Sequence, residues 1–505
     1  MRLNHYLKEL LRFSLIRRDA ERKTIFIHRL AQIVLRESLP QGQQAQWIAD
    51  TIHILNEAFS VSSQEKEQWQ NCEHILPHAL YIANYQQENF SPELGSLLLK
   101  IAACLFYRAR YSEAEQLYRR VRIIRQKTVG EMHLDFALAT HHLAEALWKQ
   151  SQFQEAEKLF LQALHILENT CASEQHIITV LNSLASLLED VGRYKEAELL
   201  LLRALSLQEN TLSFENSGNT HPLNNLAILY ALMGRYEKAE ELFQRMLQLR
   251  EKELGSHHTE TGTALNNLAL LHHKRGHLHQ AEPLYRRALQ IWEEMLGPDH
   301  TNVAAVLGNL ANLYIDQQRF KEAETLCLRA LQIREQNLGS KHLSTTYPRI
   351  YLADIYSHWQ RYQEAETLYL QALELREQVL GPSHPETAVV LNNLAKLYYN
   401  LSRYEEAHNA FSRSLSIWEE TVGPVHEYVT HALLGLAQVA HKRKQHQEAE
   451  SCYRRAYDIV KKLFHDKHPQ FLAVQSSFQE FYKEQGHPDK AKAPASEEYS
   501  HAVVS

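Results

Sequence analysis

The stretch TALNNLALLHHKRGHLHQAEPLYRRALQIWEEMLGPDH, residues 263–300, decides the fold. Leu265, Leu268, Ala269 and Leu271 recur at helical spacing and form one apolar stripe. Ala281, Leu284, Tyr285, Ala288, Leu289 and Trp292 form a second. Gly276 breaks the chain between them. Gly297-Pro298 ends the second helix with glycine just past the end and proline behind it. The pair then returns along the chain. The terminating glycines Gly255, Gly297, Gly339, Gly381 and Gly423 follow one another at intervals of 42 residues. The alanine opening the second helix recurs at Ala114, Ala156, Ala197, Ala239, Ala281, Ala323, Ala365, Ala407 and Ala449, in steps of 42, 41 and then 42 throughout. A fixed period of about 20–50 residues means a solenoid, because one helix pair cannot bury its apolar face without a neighbour. The expected fold is all-α, a right-handed superhelix of nine pairs over residues 91–466.

The totals agree with an array. The chain has 505 residues, 23% of them charged, and a formal net charge of −6, so nothing global points to nucleic acid or a membrane. Five scattered cysteines (Cys72, Cys104, Cys171, Cys327, Cys452) without a CxxC indicate a reduced, intracellular protein. The opening MRLNHYLKELLRFSLIRR carries a charge every few residues and does not read as a signal peptide. No stretch approaches the ~18 apolar residues of a membrane span. The expected location is cytoplasmic.

Residues 1–90 lack the period. Leu3, Leu7, Leu10 and Leu11 suggest a helix, Ser14–Arg17 and Thr24–Ile27 two short strands joined by the charged Arg18–Lys23, and His28–Leu39 a second helix. Residues 1–40 thus read as a winged-helix-like unit, and 41–90 as a helical linker with helices near Gln43–Phe59 and Glu65–Tyr85. FIHRLAQIVLRE (Phe26–Glu37), with Trp47, Trp69 and CEHILPHA (Cys72–Ala79), resembles the segment that follows the nucleotide-binding core of bacterial STAND-type (NB-ARC) signalling ATPases. That family carries a methionine-histidine-aspartate motif there. Here Ile27, His28 and Arg29 keep the histidine alone. The phosphate-cradling GxxxxGK[ST] is missing, since none of the 16 glycines precedes a lysine. The segment reads as the end of an ATPase module, or as the start of a split or truncated gene. No cofactor is expected, and a separate NTPase is a candidate partner. The basic cluster Arg12, Arg17, Arg18, Arg22 and Lys23 keeps a DNA-binding regulator as the alternative.

Each unit of the array resembles the tetratricopeptide repeat in the 42-residue form of kinesin light chains. Leu391, Leu394, Ala395 and Tyr398 match on helix A, Tyr404 and Ala407 at the turn, and Ala410 and Phe411 on helix B. Ala269, Ala281 and Ala288 are small where helices must approach closely. The turn aromatics Tyr111, Phe153, Tyr194, Tyr236, Phe320, Tyr362 and Tyr404 are expected to fill the wedge between pairs, with Leu278 and His446 replacing them in two units. SFENSGNTHP (Ser213–Pro222) delays its histidine, so the next A helix should start short. His468-Pro469 begins a lone helix through Phe471, Phe478, Phe481 and Tyr482 to Gly486, a cap over 467–486, and 487–505 is expected to be a disordered tail.

The resemblance implies a non-catalytic scaffold that binds a protein or peptide segment in the groove lined by A helices, within a STAND-like signalling system. In kinesin light chains, asparagines of the groove bond the bound peptide's backbone. The matching slot here holds Asn225, Asn267, Asn309 and Asn393 and breaks at Ser183, Tyr351 and Gly435, which centres the site on 220–320. A side-chain amide both donates and accepts, so it can hold any peptide backbone. The competing reading is that these asparagines tie adjacent helices together. Lys274, Asn312, Asp354 and Lys396 are neighbouring groove candidates of mixed sign.

Thirty histidines invite a metal reading. Of the dense group His257, His258, His272, His273, His277 and His279, the four-apart pair His273/His277 is split by Gly276, and His-Thr or His-Pro connectors recur as inter-repeat turns. Cys72, His74 and His78 surround Pro77 in apolar sequence and read as packing. His426-Glu427 with His431 is one residue too long for HExxH, which rotates the second histidine off the face of the first. The reading is no metal and no enzyme.

Overall fold

A computed structural model describes residues 16–19, 24–27, 41–58, 76–82, 90–170, 172–211, 221–464 and 468–486. It forms two compact units, Met1–Cys104 and Leu105–Ser505. In the first, β1 (Ile16–Asp19) and β2 (Thr24–Ile27) pair antiparallel, Ile16 opposite Ile27 and Asp19 opposite Thr24. Thr24–Ile27 coincides with the expected second strand, and the first is described from Ile16, inside the expected Ser14–Arg17, to Asp19. Arg17 stands opposite Phe26 and Arg18 opposite Ile25 in the ladder. Helix α1 (Gln41–Ala58) is tied to the start of α2 (Pro92–Tyr107) by Asn56, which donates 2.9 Å to the Glu93 carbonyl. The expected helices at Leu3–Leu11 and His28–Leu39, His28 itself, most of Glu65–Tyr85 and the tail 487–505 lie outside the described residues.

Helix pairs fill the second unit. From α2 onward, A and B helices alternate: Tyr111–Val129 (B), Leu134–Trp148 (A) and Phe153–Asn169 (B), then Glu174–Asp190 and Tyr194–Thr211, and His221–Leu232 and Tyr236–Leu254. Thr259–Lys274 and Leu278–Leu296 follow, then Thr301–Asp316 and Phe320–Leu338, and Thr346–His358 and Tyr362–Leu380. Pro385–Asn400 and Tyr404–Val422, Glu427–Lys442 and His446–Leu463, and a final Pro469–Glu484 complete the series. The result is an all-helical solenoid. Successive A helices touch one another, whereas successive B helices meet more sparsely, so the A helices line the inner wall and the B helices the outer.

The core is shared between neighbouring pairs. Ala269, Ala281 and Ala288 are fully buried and share one cluster with Val306, Leu307 and Leu310 of the next pair. The turn aromatics stand at the first position of the B helices, where most are half-buried and Tyr194 is buried. The A helix after the irregular connector is described over His221–Leu232, its neighbour over Thr259–Lys274. The connector itself, 212–220, is outside the described residues.

Two backbone geometries recur with the repeat. The glycine closing a B helix does not take the left-handed helical cap. Gly297 has φ 87° and ψ 156°, an extended left-handed geometry that only glycine adopts easily, because the chain must swing straight into the connector. The A-to-B turn, in contrast, does not need glycine. Gly192, Gly234 and Gly276 hold it at φ 71–76°, but Ala109, Ser151, Gln318, Gln360, Ser402 and Lys444 hold it at φ 57–61°. The left-handed helical region costs an ordinary residue only about 1–2 kcal/mol, which the turn's hydrogen bonds and packing carry.

Candidate functional site

Connectors position the A helices. His133, His258, His300, His342, His384, His426 and His468 each sit at an N-cap, and each Nδ1 accepts the backbone N–H two residues on. The imidazole does what a capping Ser or Asp oxygen does elsewhere, satisfying one of the orphan donors of the first turn. The recurring connector histidines of the sequence are therefore structural caps. A neutral ring with Nδ1 accepting must carry its hydrogen on Nε2.

On the inner wall, the asparagine slot forms a ladder. Asn267 Nδ2 donates 2.6 Å to Asn224 Oδ1, and Asn309 Nδ2 donates 2.9 Å to Asn266 Oδ1. Within one helix, Asn224 donates to Asn225 Oδ1 at 3.3 Å and Asn266 to Asn267 Oδ1 at 3.2 Å. Asn225, Asn267 and Asn309 are thus brought together on three successive A helices, all half-buried. These bonds tie helix to helix, as the competing reading required. Of an amide's two donors and two acceptor lone pairs, Asn267 commits one of each, Asn225 one acceptor and Asn309 one donor. Asn393 stands apart, two A helices beyond Asn309, with Tyr351 in the slot between. At the next break, Gly435, a Cβ would stand 2.3 Å from Phe411 Cε1, so an aromatic ring takes the space an asparagine would need.

The charged candidates form a second group further along the wall. The Tyr369 hydroxyl donates to Asp354 Oδ1. Burial pushes the Asp354 carboxyl up to about 6, opposed by Tyr369 and Lys396. Lys396 is exposed on the next A helix. His431, one helix further, is open to the groove, yet the surrounding protein and then Lys396 hold it down at about 4. Lys274 is exposed at the end of its helix, and Asn312 is half-buried one turn beyond Asn309. Sequence reading weighed His431 only as a metal ligand and passed over the exposed Tyr347 and Tyr428, which sit in A-helix positions outside the asparagine slot.

The dense histidine group resolves into caps and pairs: His258 caps, His257 Nδ1 lies 3.2 Å from Glu294, and His273 Nε2 lies 2.6 Å from Asp316. Another trio, unremarked in sequence, gathers on one A helix. Glu145 Oε2 is 3.1 Å from His142 Nδ1 and 3.5 Å from His141 Nε2. The two contacts share the one Glu145 carboxylate oxygen, which accounts for the cluster. Among the described residues, no helix is long and apolar enough to cross a membrane.

Helix pairs repeated and stacked in this way make the architecture of a protein–protein interaction scaffold. The comparisons with known proteins agree. The tetratricopeptide repeat model matches residues 135–210, 221–294, 269–336, 302–377, 346–420 and 403–462, and a second model of that description matches 95–135. The chain belongs to the tetratricopeptide repeat family, whose members bind proteins or peptides and whose fold is that of non-catalytic scaffolds. No curated protein matches it. Among solved structures, BtubC (BKLC) from P. vanneervenii is 26% identical over 46% of this chain and 93% of its own, with a TM-score of 0.38. A putative kinesin light chain repeat protein of Podosopora anserina is 24% identical over 40% and 97%, with a TM-score of 0.34. A Rap protein complexed with competence and sporulation factor is 14% identical over 75% and 99%, with a TM-score of 0.49.

Proposed function

We propose that the inner wall holds an extended peptide or protein segment by its backbone, with Asn225, Asn267 and Asn309 as the central contacts. Asn312 and Lys274 flank them, and Asn393, Asp354 and Lys396 meet the segment's continuation. The amide ladder supports this most directly. Its internal bonds hold three asparagines in fixed register along the wall, and each keeps a donor and an acceptor for a backbone that itself alternates N–H and C=O. Recognition of this kind reads an extended shape rather than a side-chain sequence. The proposal extends to a sensor role in a STAND-like signalling system, supported by the resemblance of residues 26–79 to the segment beyond that family's nucleotide-binding core. Purified chain is then expected to show no nucleotide hydrolysis of its own.

The test uses peptides selected on the full chain from a random dodecamer display library. Asn267→Ala with Asn309→Ala is expected to weaken the selected peptides by roughly 5- to 30-fold, since each hydrogen bond is worth about 1 kcal/mol net. Circular dichroism matching the wild type separates this from loss of fold. Unchanged affinity in the folded double mutant removes the groove assignment.

A further inference from the structure

Tetratricopeptide arrays are quasi-one-dimensional: each repeat contacts its neighbours, and distant repeats meet only if the superhelix closes upon itself. Here it closes. His384 Nε2 lies 3.2 Å from the carbonyl oxygen of Lys149, 235 positions earlier in the chain. Because Nδ1 of the same ring accepts from the Glu386 N–H, Nε2 carries the hydrogen and donates. Lys149 is the residue after the last turn of its A helix, so its carbonyl is one of the orphan acceptors of that helix end. One imidazole thus satisfies the start of one helix and the end of another, more than five repeats away.

The contact recurs in step with the repeat. One repeat earlier, His342 faces the carbonyl of Tyr107, and one repeat later His426 faces that of Asp190, each the last residue of an A helix. The Nε2 atoms of His342 and His426 are buried without a completed hydrogen bond, so the row is seated at its middle and slack at its ends. At the upper end the fit is nevertheless close: a Cβ on Gly192 would stand 2.9 Å from His426 Cδ2. Trp418 and Tyr428 back this ring, their centroids 6.4 Å and 5.1 Å from it.

We propose that these three connector histidines form a latch between successive turns of the superhelix, which shuts the groove and must release to admit a partner. The inference rests on the groove-binding reading and adds its regulation. The helix pairs on either side keep their own packing when the turns part, so release needs only small rotations shared over the intervening joints. A partner that fits is thin, an extended segment held along the A helices, since a folded domain meets the closed turns first.

Matched turn substitutions test the latch. Serine already occupies the A-to-B turn at Ser151 and Ser402 with φ 60° and 58°, so the turn accepts it. Gly192→Ser puts a side chain into His426, whereas Gly276→Ser, in a turn of the same φ, meets nothing within 4 Å at Cβ. Both variants of the full chain are expected to keep wild-type helical circular dichroism. Small-angle X-ray scattering should give Gly192→Ser a larger radius of gyration and maximum dimension, with Gly276→Ser superimposing on wild type. A Gly192→Ser curve that superimposes on wild type overturns the latch, as does equal expansion of both variants. Should Gly192→Ser lose helix, His384→Ala is compared with His258→Ala, which removes the same kind of cap elsewhere. Expansion of the first alone supports the latch, and matching curves overturn it. Scattering needs no ligand, so its failure leaves groove binding standing. Unchanged peptide affinity in the asparagine double mutant removes groove binding while leaving the turns closed.

Discussion

Single residues separate packing from recognition most sharply at two inner-wall glycines. At Gly435 a methyl group would overlap the Phe411 ring at 2.3–2.7 Å, and at Gly308 it would meet Tyr351 at an ordinary 3.8 Å. Both lie inside A helices. Gly435→Ala is expected to cost about 1–3 kcal/mol by overpacking. Gly308→Ala should instead stabilise by up to about 1 kcal/mol through helix propensity. Opposite shifts of the thermal midpoint check the pair, and a shift of the same sign contradicts the packing described. A third residue offers a reporter. The Cys327 thiol is fully buried, and burial pushes it up to about 12, so alkylation at pH 8 should await unfolding. At this scale the sequence was legible where size alone decides, as at Ala269 and Ala281. It was not legible where direction decides. LNNLA marks the asparagine pair, but which amide reaches the neighbouring helix depends on rotations between pairs that no spacing records.

Elements are joined by their caps, and the caps titrate. A connector histidine accepts through Nδ1 only while neutral. Burial is the main reason that His384 and His426 are held at about 4 against an ordinary 6.5. A folded value below the unfolded one means that the unfolded chain binds more protons. The stability these rings contribute is full above about pH 6.5 and is lost as pH falls through about 4. Glu189 works in the opposite sense. Burial first and Asp190 second raise it to about 8, so its contribution is full below the ordinary carboxylate range and is lost as pH rises through about 8. Thermal stability should therefore peak near pH 6.5 and fall off towards both lower and higher pH. His384→Asn keeps a capping side chain without a titrating ring and should flatten the acidic limb. An acidic limb unchanged in that variant contradicts the role given to the histidines. The recurrence of His-Thr and His-Pro was visible in sequence as a marker of turns. Its capping role was not, because the ring nitrogen is an uncommon substitute for the usual hydroxyl or carboxylate.

The molecule as a whole is a row of joints, stitched outside by ion pairs and closed inside by apolar packing. Arg193 to Glu157, Arg235 to Glu198, Arg319 to Glu282 and Arg403 to Glu366 pair at 2.7–3.0 Å between successive repeats. Partly exposed as they are, they contribute little each. The apolar ends matter more. Tyr453 stacks on Phe478 at 5.7 Å, and Phe481 and Tyr482 are buried in the same cluster. Removing residues 468–505 uncovers that face and should lower solubility, as sedimentation would show. The period made the all-helical solenoid readable from the sequence. The closure of one turn on the next was not readable, because it sums many small rotations. The most direct measurement of the central claim is photo-crosslinking of a selected dodecamer to the full chain, with the attachment sites mapped by mass spectrometry. Attachment to A-helix residues such as Thr263, Leu270 and Asn312 is the expected result. Attachment to the outer B helices alone would contradict it.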